Sequence, residues 1–120
     1  MEENIVIFGK NSIIAKNFIK QSKSLQSNII TISRSSNNKN DLVCNIGEFI
    51  STKDIDSIVA QIKKKLVFKK TIFILFAWCG VPRMIENKDY IWSTNMYIVQ
   101  NFLNLTAYIN PSRIILPNIC

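Results

Sequence analysis

Apolar residues fall in short clusters along the chain, and the spacing inside the clusters alternates between two kinds. Residues 4–8 form a short apolar, β-branched run that ends at Gly9, the pattern of a buried parallel strand. A turn follows at Lys10-Asn11-Ser12, where Asn11 or Ser12 can cap a helix. Ile13, Ile14, Phe18 and Ile19 then recur at helical spacing through about residue 21. Residues 28–33 are a second β-branched run, 35–40 are polar loop material, and 42–44 make a short third strand. Residues 54–66 place Ile55, Ile58, Val59, Ile62 and Leu66 on one helical face, with Ser51 or Thr52 as cap. Residues 71–77 are the strongest strand, and 79–87 carry Gly80 and Pro82 and predict a loop. Residues 89–109 return to helical spacing and stop at Asn110-Pro111, before a fifth strand over 112–116. This β-α-β-β-α-β-α-β order predicts an α/β domain with a parallel sheet and helices on both faces.

Composition agrees with one folded unit. The 120 residues are enough for a single domain spanning 1–120, and 48% are apolar, enough for a core. The longest apolar run, 71–79, is strand length and far short of the ~20 residues a membrane span needs. The acidic start Met1-Glu2-Glu3 does not read as a signal peptide, so a cytoplasmic location is expected. Three cysteines without a C-x-x-C pair argue against a disulfide framework or a thiolate zinc site. The chain has no histidine, which removes Ser-His and Cys-His nucleophiles and imidazole metal ligands. A net charge of +7 favours anionic partners. Its clusters, Lys63-Lys64-Lys65 and Lys69-Lys70, read as a solvated helix end and the turn after it. No aromatic residue interleaves with them, so neither nucleic acid nor a membrane is an expected partner.

The most chemistry lies in the first strand-turn-helix, Gly9-Lys10-Asn11-Ser12-Ile13-Ile14-Ala15. A dinucleotide-binding turn uses glycines for the tight turn, for approach to the pyrophosphate and for helix–strand packing, and sets the phosphates at a helix N-terminus. Gly9 keeps the first of these. Ser12 stands at the middle position, where its hydroxyl both crowds the phosphates and can donate to them, and Ala15 stands at the last. Taken alone, the same stretch also fits a tight βα turn with no ligand.

The rest of the chain resembles the extended short-chain dehydrogenase/reductase family, the branch of nucleotide-sugar epimerases, dehydratases and reductases. In that family the second strand often ends in a charged residue that reads the adenosine ribose; here it ends Ser33-Arg34-Ser35. Its third strand ends in Asp followed by Leu or Ile; here Asn45-Ile46 stands there. Its fourth strand ends His-x-Ala-Ala, of which Ala77 is kept, with Phe76 where a small residue usually faces the cofactor. Its next helix carries Asn-Val-x-Gly-Thr-x-Asn-Leu-Leu, of which Asn95, Asn101 and Leu103 are kept. Arg113-Ile114-Ile115-Leu116 is similar to the family's fifth strand.

The resemblance implies a Rossmann-type sheet in the order 3-2-1-4-5 and binding of NADP or NAD. Gly9, Lys10, Asn11, Ser12 and Ile13 would lie over the pyrophosphate, with Asn45, Ile46 and Ala77 lining the cofactor's side. Arg34 would sit by the ribose, where a guanidinium suits a 2′-phosphate and favours NADP. Asn95 reads as a brace between helix and sheet, Trp78 and Trp92 as core or lid packing, and Cys79 as a buried inert thiol. The family's acid–base chemistry needs a Tyr-x-x-x-Lys pair. None of Tyr90, Tyr97 and Tyr108 has a lysine four residues on, and the chain ends at Cys120 before any such pair. No catalytic residue or metal ligand is assigned. The expectation is a truncated cofactor-binding fragment related to enzymes of surface-polysaccharide synthesis and not catalytic by itself. The alternative is a ligand-free interaction module, with a homo-oligomer covering the exposed sheet edge. A receiver-like domain fits less well, since no acidic cluster stands near the strand ends.

Overall fold

The five strand-length runs build one parallel sheet. β1 (Glu3–Phe8), β2 (Asn28–Ser33), β3 (Asp41–Val43), β4 (Lys70–Leu75) and β5 (Arg113–Ile115) lie in the order β3-β2-β1-β4-β5. Every pairing is parallel. The helices are α1 (Ile13–Ser22), α2 (Thr52–Lys65) and α3 (Lys88–Ile109). The structure is a computed structural model that describes residues 2–10, 13–22, 26–34, 40–78 and 88–116. The expected Asn11 or Ser12 cap and the loop over 79–87 lie outside these residues. The predicted strand order and element types are all present, with bounds shifted by a residue or two.

Alternation along the central strands sends side chains into two cores. Val6 and Phe8 of β1, with Ile30, Ile32, Leu42, Phe73 and Leu75, face α2 and α3. There they meet Ile55, Ile58, Val59 and Ile62 of α2 and Ile98, Phe102 and Leu105 of α3. Three phenylalanine rings form the centre: Phe8 lies 5.2 Å from Phe73 and 4.9 Å, edge-on, from Phe102. On the opposite face Ile5, Ile7, Ile72 and Ile74 pack against Phe18 and Ile19 of α1.

The buried side of α1 differs from the expected one. Ile14 is 69% exposed, whereas Ala15 and Ser22 are buried and Phe18 and Ile19 partly so. These four positions follow the i, i+3, i+4, i+7 spacing of a single face. The small side chain of Ala15 lets the helix lie close to the sheet.

The helix ends follow local rules. Ser51 caps α2 by accepting the Asp54 N–H at 3.2 Å. Three lysines close its last turn, where the helix dipole favours cations. Asn110, at φ 55°, ends α3 with its N–H on the Thr106 carbonyl, and Pro111 follows. Among the described residues no helix is long and apolar enough to cross a membrane.

One polar side chain sits in the core near the amino edge of the sheet. Asn4 is fully buried. Its amide donates to the Phe68 carbonyl at 2.8 Å, the Lys70 carbonyl at 3.1 Å and the Thr71 hydroxyl at 3.2 Å. Its oxygen accepts from Asn28 Nδ2 at 2.9 Å and from the N–H groups of Val67 and Phe68. Asn28 in turn donates to the Lys65 carbonyl at the end of α2. One amide therefore fastens the α2–β4 connection to β1, β2 and β4. Asn4→Leu, nearly the same size, leaves these groups unpaired in the interior and is expected to lower stability by about 3 kcal/mol or more. Urea denaturation checks this; an unchanged midpoint would show the network to be dispensable.

Candidate functional site

The chain leaves β1 towards α1 on one face of the sheet and leaves β4 towards α3 on the other. The helices that follow these neighbouring strands therefore lie on opposite faces, which makes the β1/β4 boundary the switch point where an open parallel sheet usually takes a ligand. Gly9 stands at this point with φ +92°. A Cβ built on it would lie 2.7 Å from the backbone of Ala77. The Gly9 N–H donates to the Ile32 carbonyl at 2.9 Å. The Phe8 carbonyl accepts from both Phe76 and Ala77, at 2.8 and 2.7 Å. These last two bonds turn the chain out of the ladder, which is why β4 ends at Leu75 rather than at the expected Ala77. The structure thus brings two of the expected site residues, Gly9 and Ala77, into direct contact.

Lys10 follows immediately. Its ammonium does not face outward but lies 2.7 Å from Asp41 Oδ2, the two side chains being 9% and 3% exposed. The other carboxylate oxygen accepts the Thr31 hydroxyl. The positive charge that the sequence places in the turn is thus balanced by an acid at the start of β3. Arg34, just past β2, is exposed. Asn45 and Ile46 follow β3, as expected, with evident structural duties. The Asn45 side-chain oxygen accepts the Gly47 N–H at 3.0 Å, and Ile46 is buried in the larger core. Gly47 admits α3 closely, since a Cβ there would meet Thr94 Cγ2 at 2.9 Å. Ile13 opens α1. Asn11 and Ser12 lie outside the described residues, as does Cys79.

A brace from α3 is Asn101: buried, it donates to the carbonyls of Ile46 and Glu48, both at 2.8 Å. Asn95 precedes it by nearly two turns and is partly buried. Trp78 and Trp92 are 44% and 70% exposed, so neither packs in the core. The ring of Phe76 lies 5.9 Å from Phe18 on the α1 side of the sheet. Sequence reasoning missed Asp41 and Thr31. A strand-adjacent acid carries no signal of its own, and only the register that pairs Thr31 with Asp41 reveals the site.

Cys44 also lies at the strand ends, its N–H on the Ser33 carbonyl. Burial, with a smaller push from Asp54 and Glu48, raises its thiol to about 11, so it is protonated and unreactive near neutral pH. Among the described residues no three His, Cys, Asp or Glu side chains are grouped to hold a metal ion. The arrangement offers a close-packed backbone turn, the start of a helix and an exposed guanidinium. Such a set can hold a phosphorylated ligand.

Several solved structures share this architecture. An L-threonine dehydrogenase from Phytophthora infestans superposes with a TM-score of 0.68 at 17% identity over 95% of this chain. The UDP-N-acetylglucosamine 4-epimerase from Bacillus cereus gives 0.63 at 16% identity over 94%. The Bordetella bronchiseptica enzyme WbmH, solved in complex with NAD+, gives 0.67 at 12% identity over 95%. The fold is Rossmann-like, shared with these structures. The chain spans 35% of the length of the threonine dehydrogenase and 38% of each of the other two. No protein-family model matches the sequence, and no curated protein does.

The Rossmann turn depends on Gly9 having no side chain. Gly9→Ala places a methyl against the Ala77 backbone and forces an L-residue to positive φ. A loss of about 2 kcal/mol or more is expected. Thermal denaturation checks this, and a variant as stable as the parent would remove the close contact as a constraint.

Proposed function

We propose that the chain is a nucleotide-binding Rossmann fragment that holds NADP or NAD weakly at the Gly9 turn. The carrying observation is the contact of Gly9 with Ala77 at the β1/β4 boundary. That close approach fixes the turn ahead of α1, whose N-terminal N–H groups suit a phosphate. The NAD+ held by WbmH and the nucleotide sugar named for the Bacillus epimerase support the ligand class. The resemblance of the sequence to nucleotide-sugar epimerases and dehydratases extends this to a setting in surface-polysaccharide synthesis. The reading is one of binding, not turnover, because the Tyr-x-x-x-Lys pair of the resembling enzymes has no counterpart among the 120 residues.

Affinity is expected to be poor, roughly 10⁻⁴ M or weaker, which is about 5 kcal/mol. With Lys10 committed to Asp41, Arg34 supplies the exposed charge next to the ribose position. NADP should therefore bind better than NAD, and Arg34→Ala should remove the difference. Calorimetry at low salt checks this; equal affinities in the parent protein would overturn the role of Arg34. Undetectable binding of both cofactors at millimolar concentration would overturn the dinucleotide reading.

A second reading, a ligand-free module that pairs with a second copy of itself, is supported by the opposite side of α3. Trp92, Met96, Val99 and Leu103 are exposed at spacings of four, three and four residues, a single helical stripe. All three residues of β5 are exposed beside an open sheet edge. The occupant favoured by charge is a second copy. The chain carries +7, yet residues 90–109 contain no charged side chain, so this face can meet its own equivalent without repulsion. Sedimentation at micromolar concentration should then give a dimer that Val99→Lys dissociates, whereas a monomer at all concentrations would count against it.

A further inference from the structure

The expected ligand cation of the glycine turn, Lys10, is instead the buried partner of Asp41. Gly9 lies level with the last residue of β2, because the register pairs Phe8 with Ile32 and places Ser33 beyond it. Asp41 pairs with Thr31, two residues nearer the amino edge. The Lys10 side chain therefore starts at the strand ends and runs back along the sheet, away from the region where an adenosine ribose is read. At its tip the ammonium meets a carboxylate whose other oxygen is engaged by the Thr31 hydroxyl.

We propose that Asp41 determines how this turn discriminates a 2′-phosphate from a free ribose hydroxyl, by withholding the Lys10 ammonium from the strand ends. The proposal rests on the dinucleotide reading above and adds a positioning residue to it. Two alternative positions compete for one cation. In the first, Lys10 is paired with a nearly inaccessible acid. In the second, its flexible four-carbon stem turns outward and adds a positive charge beside Arg34. Leaving a buried carboxylate without its partner is strongly unfavourable. An exposed lysine–phosphate contact in water returns little by comparison. A phosphate at the turn therefore does not draw Lys10 away, and 2′-phosphate recognition falls to Arg34 alone. With Asp41 neutral, burial of the ammonium loses its compensation and the outward position wins.

The test uses adenosine 2′,5′-bisphosphate and adenosine 5′-monophosphate as probes. Their dissociation constants are measured by calorimetry at low salt on the full chain and on Asp41→Asn, Lys10→Met and the double variant. Circular dichroism on each confirms folding, and the double variant, with both charges removed, stands in should either single variant fail to fold. Asp41→Asn is expected to raise affinity for the bisphosphate about tenfold while changing that for the monophosphate less than twofold. Lys10→Met is expected to leave the ratio of the two affinities near the parent value, and the double variant to return it there. A structural role of the ion pair would lower both affinities together and would not change their ratio. An unchanged ratio in folded Asp41→Asn overturns the proposal while the dinucleotide reading stands. A fall in bisphosphate affinity in Lys10→Met, or in the double variant, also overturns it, because Lys10 would then already touch the ligand. Absence of binding of either nucleotide by all folded proteins overturns the dinucleotide reading and this proposal together.

Discussion

The contact between Gly9 and Ala77 is the constraint around which the rest of the molecule is arranged. Two neighbouring parallel strands end with their backbones closer than any side chain allows. One carbonyl, that of Phe8, receives two N–H groups from the chain leaving β4. This converts the end of a regular ladder into a junction where one strand departs upward and the other downward. The Phe8, Phe73 and Phe102 rings lie close together on the α2 and α3 side, all fully or almost fully buried. Packing there and backbone hydrogen bonding at the junction reinforce each other. The turn is thus preorganised by the interior and does not need a ligand to take its shape.

Buried polar groups hold the sheet at its two ends. Near the amino edge Asn4 gathers the α2–β4 connection, and at the carboxyl edge Asn101 gathers the segment after β3. Both are asparagines because each must offer to backbone groups that have no ladder partner. An amide brings donors and an acceptor without a charge to desolvate. Among the described residues no buried side-chain nitrogen or oxygen lacks a partner. The ion pair of Lys10 and Asp41 is a third such tie, between the glycine turn and the short edge strand β3. It differs in kind, since each of its members is costly without the other.

Much of this was legible in the residues because burial on both faces leaves an unmistakable β-branched run, as in 4–8 and 71–75, and because α2 repeats isoleucine on one face. Failures occurred where side-chain type and position disagree. Ile14 is more apolar than Ala15, yet the helix turns Ala15 inward because closeness to the sheet is limited by size. Lys10 reads as a ligand cation from its place beside Gly9, and nothing local says that its charge is taken up 31 residues away. Asn95 and Asn101 carry the same chemistry on one helix, and nothing local in the sequence says that Asn101 reaches the carbonyls of Ile46 and Glu48. Trp92, expected in the core or in a lid, lies 70% exposed on the outer stripe of the same helix, which excludes the core.

The distribution of burial also separates two surfaces of the molecule. Strands β1, β2 and β4 are buried over most of their length, whereas all three residues of the edge strand β5 are exposed. The exposed stripe of α3 lies on a different face of that helix from buried Phe102 and Leu105. The glycine turn, Arg34 and the Lys10–Asp41 pair belong instead to β1, β2 and β3, on the other side of the sheet's centre. Covering the β5 edge therefore leaves the turn accessible, and filling the turn leaves the edge bare. The glycine turn and the exposed stripe of α3 draw on different residues of this chain, so a substitution such as Val99→Lys alters the stripe without touching the turn.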